Sequence, residues 1–391
     1  MTNGKLEFDV VESWLCTVAH SHSNSSQTRV MYEVNFQKFL DFVEKSAAEI
    51  VLEYENSDDR HFKRRYGQYV KALISVLQKR GYAPASITTI IGTIKSFFKY
   101  SDLPLGFIPS GSRLIEFHNR DITREEVVEV LKLANVRDRA FFTVMAQSGL
   151  RPGTISGLRI KDVEKILDED APVPATVKVN QENTKGKFQG YFSFVGEEAI
   201  AHVKDYLKTR EKLTPEDYLF TKFGHNDKPI SPSVMTHIFR RIVLKLRQKG
   251  LMKFETPRKE MQIETKNHKP LRSSVSRSEI RLYNLRKFFR KYAGQAGNDY
   301  VNYWMGHTSA LGVDLHYFSK DIEHHKQIYR EKAMPHLRLE TSTPSETDKI
   351  IQKQAEEIKG LKTRLDEIML SRNQVQELLR RIEKLEKQAQ K

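Results

Sequence analysis

The sequence runs to 391 residues, too long for one comfortable hydrophobic core and of a length that suits two or three domains. It holds 65 Lys and Arg against 50 Asp and Glu, a formal net charge of +15, which favours a polyanionic partner, nucleic acid first among them. A single cysteine excludes an intramolecular disulfide and any cysteine-based zinc or iron–sulfur site, and no run of about 18 apolar residues exists to form a membrane span.

The amino terminus, MTNGKLEFDVVESW, lacks a basic segment followed by an apolar stretch, so no signal peptide and a cytoplasmic, nucleoid-associated location are expected. Residues 1–101 read as a helical domain. Tyr32, Val34, Phe36, Phe39, Leu40, Phe42 and Val43 recur at helical spacing, and Cys16 among Trp14, Leu15 and Val18 reads as a buried small hydrophobe. A second run, Tyr69 to Leu77, stops at Gly81; a third starts after Pro84 with Ser86 as the expected N-cap. Two prolines and two glycines between Asp102 and Ser112 mark an interdomain linker over 102–118.

A second domain is expected over 119–337. Asp121 or Thr123 with Glu125 and Glu126 opens a helix; a helix over 140–147, the turn Ser148-Gly149 and a helix over 152–158 follow. Alternating apolar positions in 176–180 and 191–195, around the polar Lys185-Gly186-Lys187-Phe188, predict a β-hairpin. Helices are expected at 196–209, 232–249 and 280–333, with a long loop or partly ordered arm over 250–279. After a linker at 338–345, Ile351, Ile358, Leu365 and Leu379 with Leu361, Ile368, Val375 and Ile382 fit heptad positions and predict a coiled coil over 346–391. The fold class expected is mainly α with a small β-hairpin, α+β.

The strongest chemical signal is Ser148-Gly-Leu-Arg-Pro-Gly-Thr-Ile-Ser-Gly-Leu-Arg-Ile-Lys-Asp-Val163, where Arg151 stands at the head of a helix after a glycine turn, a place suited to an anion. This segment resembles the first box of the tyrosine site-specific recombinases and integrases, Gly-Leu-Arg followed by a helix ending in Leu-x-x-x-Asp, here Gly149, Leu150, Arg151, Leu158 and Asp162. The family's later landmarks follow in order. Lys185, with Lys187 as a competitor, lies in the hairpin; Tyr283-Asn-Leu-Arg286 stands at the second box, Gly306-His307 after it, and Tyr317 ten residues beyond His307. Tyr283 replaces the usual histidine, a variant that looks like the integrases of archaeal mobile elements or viruses. Thr154 stands where many members carry an acid.

The resemblance implies a helical core-binding, SAM-like DNA-binding domain before a catalytic domain, acting on double-stranded DNA as a homo-oligomer in a tetrameric synapse. It implies that Arg151 and Arg286 clamp the phosphate, His307 donates to it or takes a proton, Lys185 protonates the leaving 5′-oxygen, and Tyr317 forms a 3′-phosphotyrosyl link. Tyr283 would donate to the phosphate, a phenol being a poor base at neutral pH. Such an enzyme joins or excises mobile elements without cofactor or metal. Tyr329 is the rival nucleophile; His316, His324 and His325 lack the partners of a zinc site. A type IB topoisomerase and a non-catalytic DNA-binding or nucleoid protein remain alternatives. The charge is concentrated: residues 240–291 hold 17 Lys and Arg against four Asp and Glu, whereas 346–391 hold 11 against nine.

Overall fold

The computed structural model describes residues 3–109, 111, 117–184, 189–256, 258–264, 270–307 and 320–339. Met1–Leu337 form one compact unit and Arg338–Lys391 a second; the heptads expected over 346–391 lie outside the described residues.

Five helices come first: α1 (Asn3–Ser21), α2 (Ser26–Val43), α3 (Ala47–Glu55), α4 (Asp59–Lys79) and α5 (Pro84–Tyr100). Side chains set their starts. Ser25 accepts from the Thr28 N–H, Ser46 and Glu49 form a reciprocal capping box, and Asp58 accepts from the N–H groups of Arg60 and His61. Helix α5 starts before Ser86: Ala83 is its N-cap and Pro84 its first residue, where a fixed φ and a missing N–H are no handicap. Gly81, at φ 81°, ends the preceding helix as expected.

Trp14, Phe36, Phe39, Phe62, Tyr66, Phe97 and Phe98 are the buried aromatic heart of these helices. Trp14 meets Phe36 and Phe97 edge-on, with centroids 5.0 and 5.3 Å away. Leu103 and Ile108 join the same core, so the first half of the segment expected as linker packs instead of spanning: Asp102 at φ 51° turns the chain back over its own apolar residues. Cys16 is exposed, which corrects the expectation of a buried thiol. Trp14, Leu15 and Val18 share the inner face of α1, and the helical period turns residues 16 and 17 outward.

The rest of the unit is built around α7 (Val136–Ser148), which is buried from Arg137 to Ser148 with the sole exception of a half-buried Arg139. Before it, α6 (Arg124–Leu133) opens with a capping box between Thr123 and Glu126. After it come α8 (Pro152–Gly157) and strands β1 (Ala175–Val179) and β2 (Tyr191–Val195). The strands pair antiparallel, Ala175 opposite Val195 and Val179 opposite Tyr191. All five residues of β2 are buried, so the strand is covered on both faces although its sequence alternates. Helices α9 (Glu197–Lys208) and α10 (Pro232–Gln248) follow within two residues of expectation.

The stretch expected as a loop holds a second hairpin, β3 (Arg258–Glu264) with β4 (Pro270–Ser276), Arg258 opposite Ser276 and Glu264 opposite Pro270. Charged residues dilute the alternation there, and Pro270 occupies a strand's first position, where its missing N–H is tolerated. Then come α11 (Tyr283–Tyr292), a 3₁₀ turn, α12 (Asn298–Trp304), α13 (Ile322–Ile328), a π turn (Tyr329–Ala333) and α14 (Met334–Leu337). Phe194 of β2 packs on Trp304 and Tyr329 at 5.9 and 5.3 Å, which fixes the hairpin against the last helices.

Candidate active site

Two glycines make the site possible. Gly149 caps α7 at φ 64°, and a Cβ there would lie 2.2 Å from the Phe289 ring of α11. Gly306, after α12, sits at φ 65°, where a Cβ would lie 2.7 Å from the Tyr191 hydroxyl. Each turn needs a residue that tolerates left-handed backbone and leaves room for a ring. With the side chains gone, their main chains approach the arginines directly.

Arg286, on α11, is 5% exposed. It donates through Nη1 to the Gly149 carbonyl, and through Nη2 to the Met305 carbonyl at 2.6 Å and to His307 Nε2 at 2.8 Å. Arg151, the N-cap of α8, is half-buried and reaches the Gly306 carbonyl with Nη1 at 3.4 Å, the long end of a hydrogen bond. Neither guanidinium forms an ion pair with a carboxylate among the described residues. Burial, and then the like charge of Arg151, pull the Arg286 pKa down to about 10, still charged at neutral pH. Two cations sharing a partly dry site, with only dipoles for partners among the described residues, are electrostatically suited to an anion.

His307 reads this field. A guanidinium only donates, so His307 Nε2 accepts and the imidazole is neutral, with its proton on Nδ1. Burial, followed by the charges of Arg286, Arg151 and Arg290, drives its pKa down to about 4. Its backbone N–H is held by the Asn302 carbonyl at 2.8 Å.

Tyr191, the first residue of β2, was legible in the sequence only as an alternating strand position. It is 6% exposed, and its hydroxyl lies against Gly306 and near the Thr154 side chain, but makes no hydrogen bond of good geometry among the described residues. An unmet buried hydroxyl costs about 1–3 kcal/mol, so its presence calls for a reason. Burial raises its pKa, and the nearby charges of Arg286 and Arg151, followed by the Thr154 side chain, act in the opposite direction.

The other candidates separate clearly. Tyr283 lies one turn before Arg286 and is 53% exposed. Thr154 is buried and donates to the Asn183 carbonyl at 3.0 Å, tying α8 to the hairpin rather than to Arg151. Asp162, also buried, accepts from the Arg159 N–H and from Asn180, a structural role. Tyr329 is fully buried and donates to the Gln147 carbonyl at 2.8 Å. His325 accepts from Trp304 at 3.1 Å, His324 pairs with Tyr300, and no group of three potential metal ligands occurs among the described residues. Lys185, Lys187, His316 and Tyr317 lie outside the described residues.

The model of the phage integrase family matches residues 120–309, a span that contains Arg151, Tyr191, Arg286 and His307. Residues 120–309 thus form a domain of the phage integrase family. One curated relative of this chain is tyrosine recombinase XerC of Halalkalibacterium halodurans, 23% identical over 216 residues, which covers 52% of this chain and 64% of the relative. Another is tyrosine recombinase XerA of Pyrococcus horikoshii, 24% identical over 165 residues, 41% of this chain and 54% of that one. The match to these relatives thus spans less than two thirds of their length. Among solved structures the chain is similar to the XerH site-specific recombinase bound to difH substrate, at 16% identity and TM-score 0.48, over 79% of this chain and 80% of that one. Within the matched segment, the first-box arginine and the second-box arginine, far apart in sequence, meet at the Gly306-His307 turn.

Proposed function

We propose that the protein is a site-specific DNA recombinase that cuts and rejoins duplex DNA through a covalent 3′-phosphotyrosyl intermediate. The observation that carries this reading is the pair Arg151 and Arg286, held by carbonyls around Gly306-His307 and lacking a carboxylate partner among the described residues. A phosphodiester fits that gap, since its non-bridging oxygens accept from both forks and gain most charge in the transition state.

In this reading the Tyr317 phenolate oxygen attacks phosphorus and the P–O5′ bond breaks. Lys185, or Lys187 beside it, gives its proton to the 5′-oxygen, and His307 accepts the Tyr317 proton once the phosphate has drawn Arg286 from Nε2. A 5′-hydroxyl from a second strand reverses the step, so bond energy is conserved and no cofactor is required. Exposed Tyr283 serves as an outer phosphate donor. Residues 1–101 grip the duplex together with the 119–337 catalytic part, and 346–391 assist assembly of a four-protomer synapse. The recombinase names of the curated relatives support strand exchange over topoisomerase-like relaxation.

A nicked suicide duplex carrying the sequence that flanks the gene tests the proposal. The wild-type chain should trap a denaturant-resistant protein–DNA adduct, and Tyr317→Phe should bind the duplex yet trap none. Adduct formation by the mutant would reassign the nucleophile, and relaxation of supercoiled plasmid without exchange would favour the topoisomerase reading.

A further inference from the structure

The Tyr191 hydroxyl has no place in the scheme above, yet it lies at the centre of the site. A phenylalanine would fill the same space against Gly306 and β2 without burying a hydroxyl whose polar neighbour, Thr154, already spends its proton on the Asn183 carbonyl and makes no hydrogen bond of good geometry to it. The ring is fixed by its strand: Val179 pairs opposite it, and the residue is 6% exposed. The hydroxyl is therefore held in one place, against the glycine whose carbonyl receives Arg151 and within the field of both Arg286 and Arg151.

We propose that the Tyr191 hydroxyl is a further catalytic residue of this site, a neutral hydrogen-bond donor to one non-bridging oxygen of the scissile phosphate. In the free protein Arg151 reaches the carbonyl of Gly306, the residue against which the Tyr191 hydroxyl packs, at 3.4 Å. A phosphate competes for Arg151 with two charged oxygens against one carbonyl, draws the guanidinium off Gly306, and leaves an anionic acceptor where the hydroxyl has none. A phenol adds a donor without adding a third positive charge to a place where two cations already oppose each other, and it stays protonated because burial raises its pKa. With Tyr283 more than half exposed, Tyr191 is the buried phenol that feels both arginines.

This inference rests on the recombinase reading, and two measurements on the full chain keep the two separable. Tyr191→Phe should melt at the wild-type temperature or above it, bind duplex within twofold of wild type, and form the suicide-substrate adduct at least tenfold more slowly. On duplexes carrying a single methylphosphonate at the scissile position, that gap should vanish for the diastereomer whose methyl replaces the contacted oxygen and persist for the other. A merely structural role would leave the gap equal for both diastereomers, and equality would overturn the proposal, as would a wild-type rate for Tyr191→Phe. The second measurement does not need strand cleavage: inorganic phosphate titrated into the free protein by calorimetry should bind Tyr191→Phe at least fivefold more weakly. If the wild-type chain forms no adduct on any duplex, the recombinase reading falls and the phosphate titration alone decides for Tyr191, with equal affinities overturning it.

Discussion

Tyr66 and Tyr191 are both phenols buried near arginines, one in the amino-terminal helices and one beneath the arginine pair, and their hydroxyls meet opposite fates. Tyr66 donates to Glu53 at 2.8 Å, and the same carboxylate also receives Lys45 and Arg65, so the phenol and both cations share an acceptor inside the protein. At the other place the cations are Arg286 and Arg151, the acceptors are backbone carbonyls and His307, and among the described residues no acid pairs with either. A carboxylate makes the first cluster part of the fold's framework. Its absence leaves the second with net charge, an unmet hydroxyl and a neutral histidine, all of which suit an anion from outside.

Breaking the second cluster should have the largest effect. Arg286→Ala is expected to reduce adduct formation by about 10²–10³-fold, the range for loss of one main transition-state donor, as read by single-turnover trapping on the suicide duplex. Gly306→Ala tests whether the carbonyls need their left-handed turn. Backbone strain of about 1–2 kcal/mol, with the clash on Tyr191 added, should lower the melting temperature and adduct yield together. Glu53→Gln probes the answered cluster: it should reduce stability by about 1–3 kcal/mol in urea titration and leave the adduct rate per folded molecule unchanged.

A pH experiment sharpens the contrast further. His307 has a folded-state pKa of about 4 against an ordinary value near 6.5, so its contribution to stability is complete above about 6.5 and fades as pH falls toward 4. His307→Gln should flatten that part of the acid limb, while bound phosphate, by offsetting the arginines, should move the His307 ring-proton titration upward in NMR. The smallest effect belongs to Cys16, which should react with iodoacetamide in the native protein, with Cys16→Ser leaving the melting temperature unchanged.

Much of this was legible before the structure, for local reasons. Capping residues and apolar period located α2, α4, α6 and α7, and the glycines at 81 and 149 ended helices because no other residue turns the chain there so cheaply. The arginines and His307 were identifiable through motif order, but the absence of a carboxylate partner is a property of folding and has no sequence signal. Tyr191 was hidden for the same reason, since a tyrosine in an alternating strand looks like packing until the orphan hydroxyl is found beside two guanidiniums. Cys16 and Ser86 misled because one-residue shifts on a helix decide burial and capping, and composition does not resolve such shifts. The β3–β4 hairpin stayed unread because charged residues and a proline mask a two-stranded ribbon.

The carbonyl groups that hold Arg151 and Arg286 belong to Gly149, Met305 and Gly306, and a main-chain acceptor survives every side-chain replacement. Conventional alanine scanning of polar residues will therefore pass over the supports of the clamp while reporting its two cations as isolated essential residues. Silent-looking changes at two uncharged positions, Gly149 and Gly306, are where inactivating variants should collect in a random library, and they will register as loss of the site without any change in its charge.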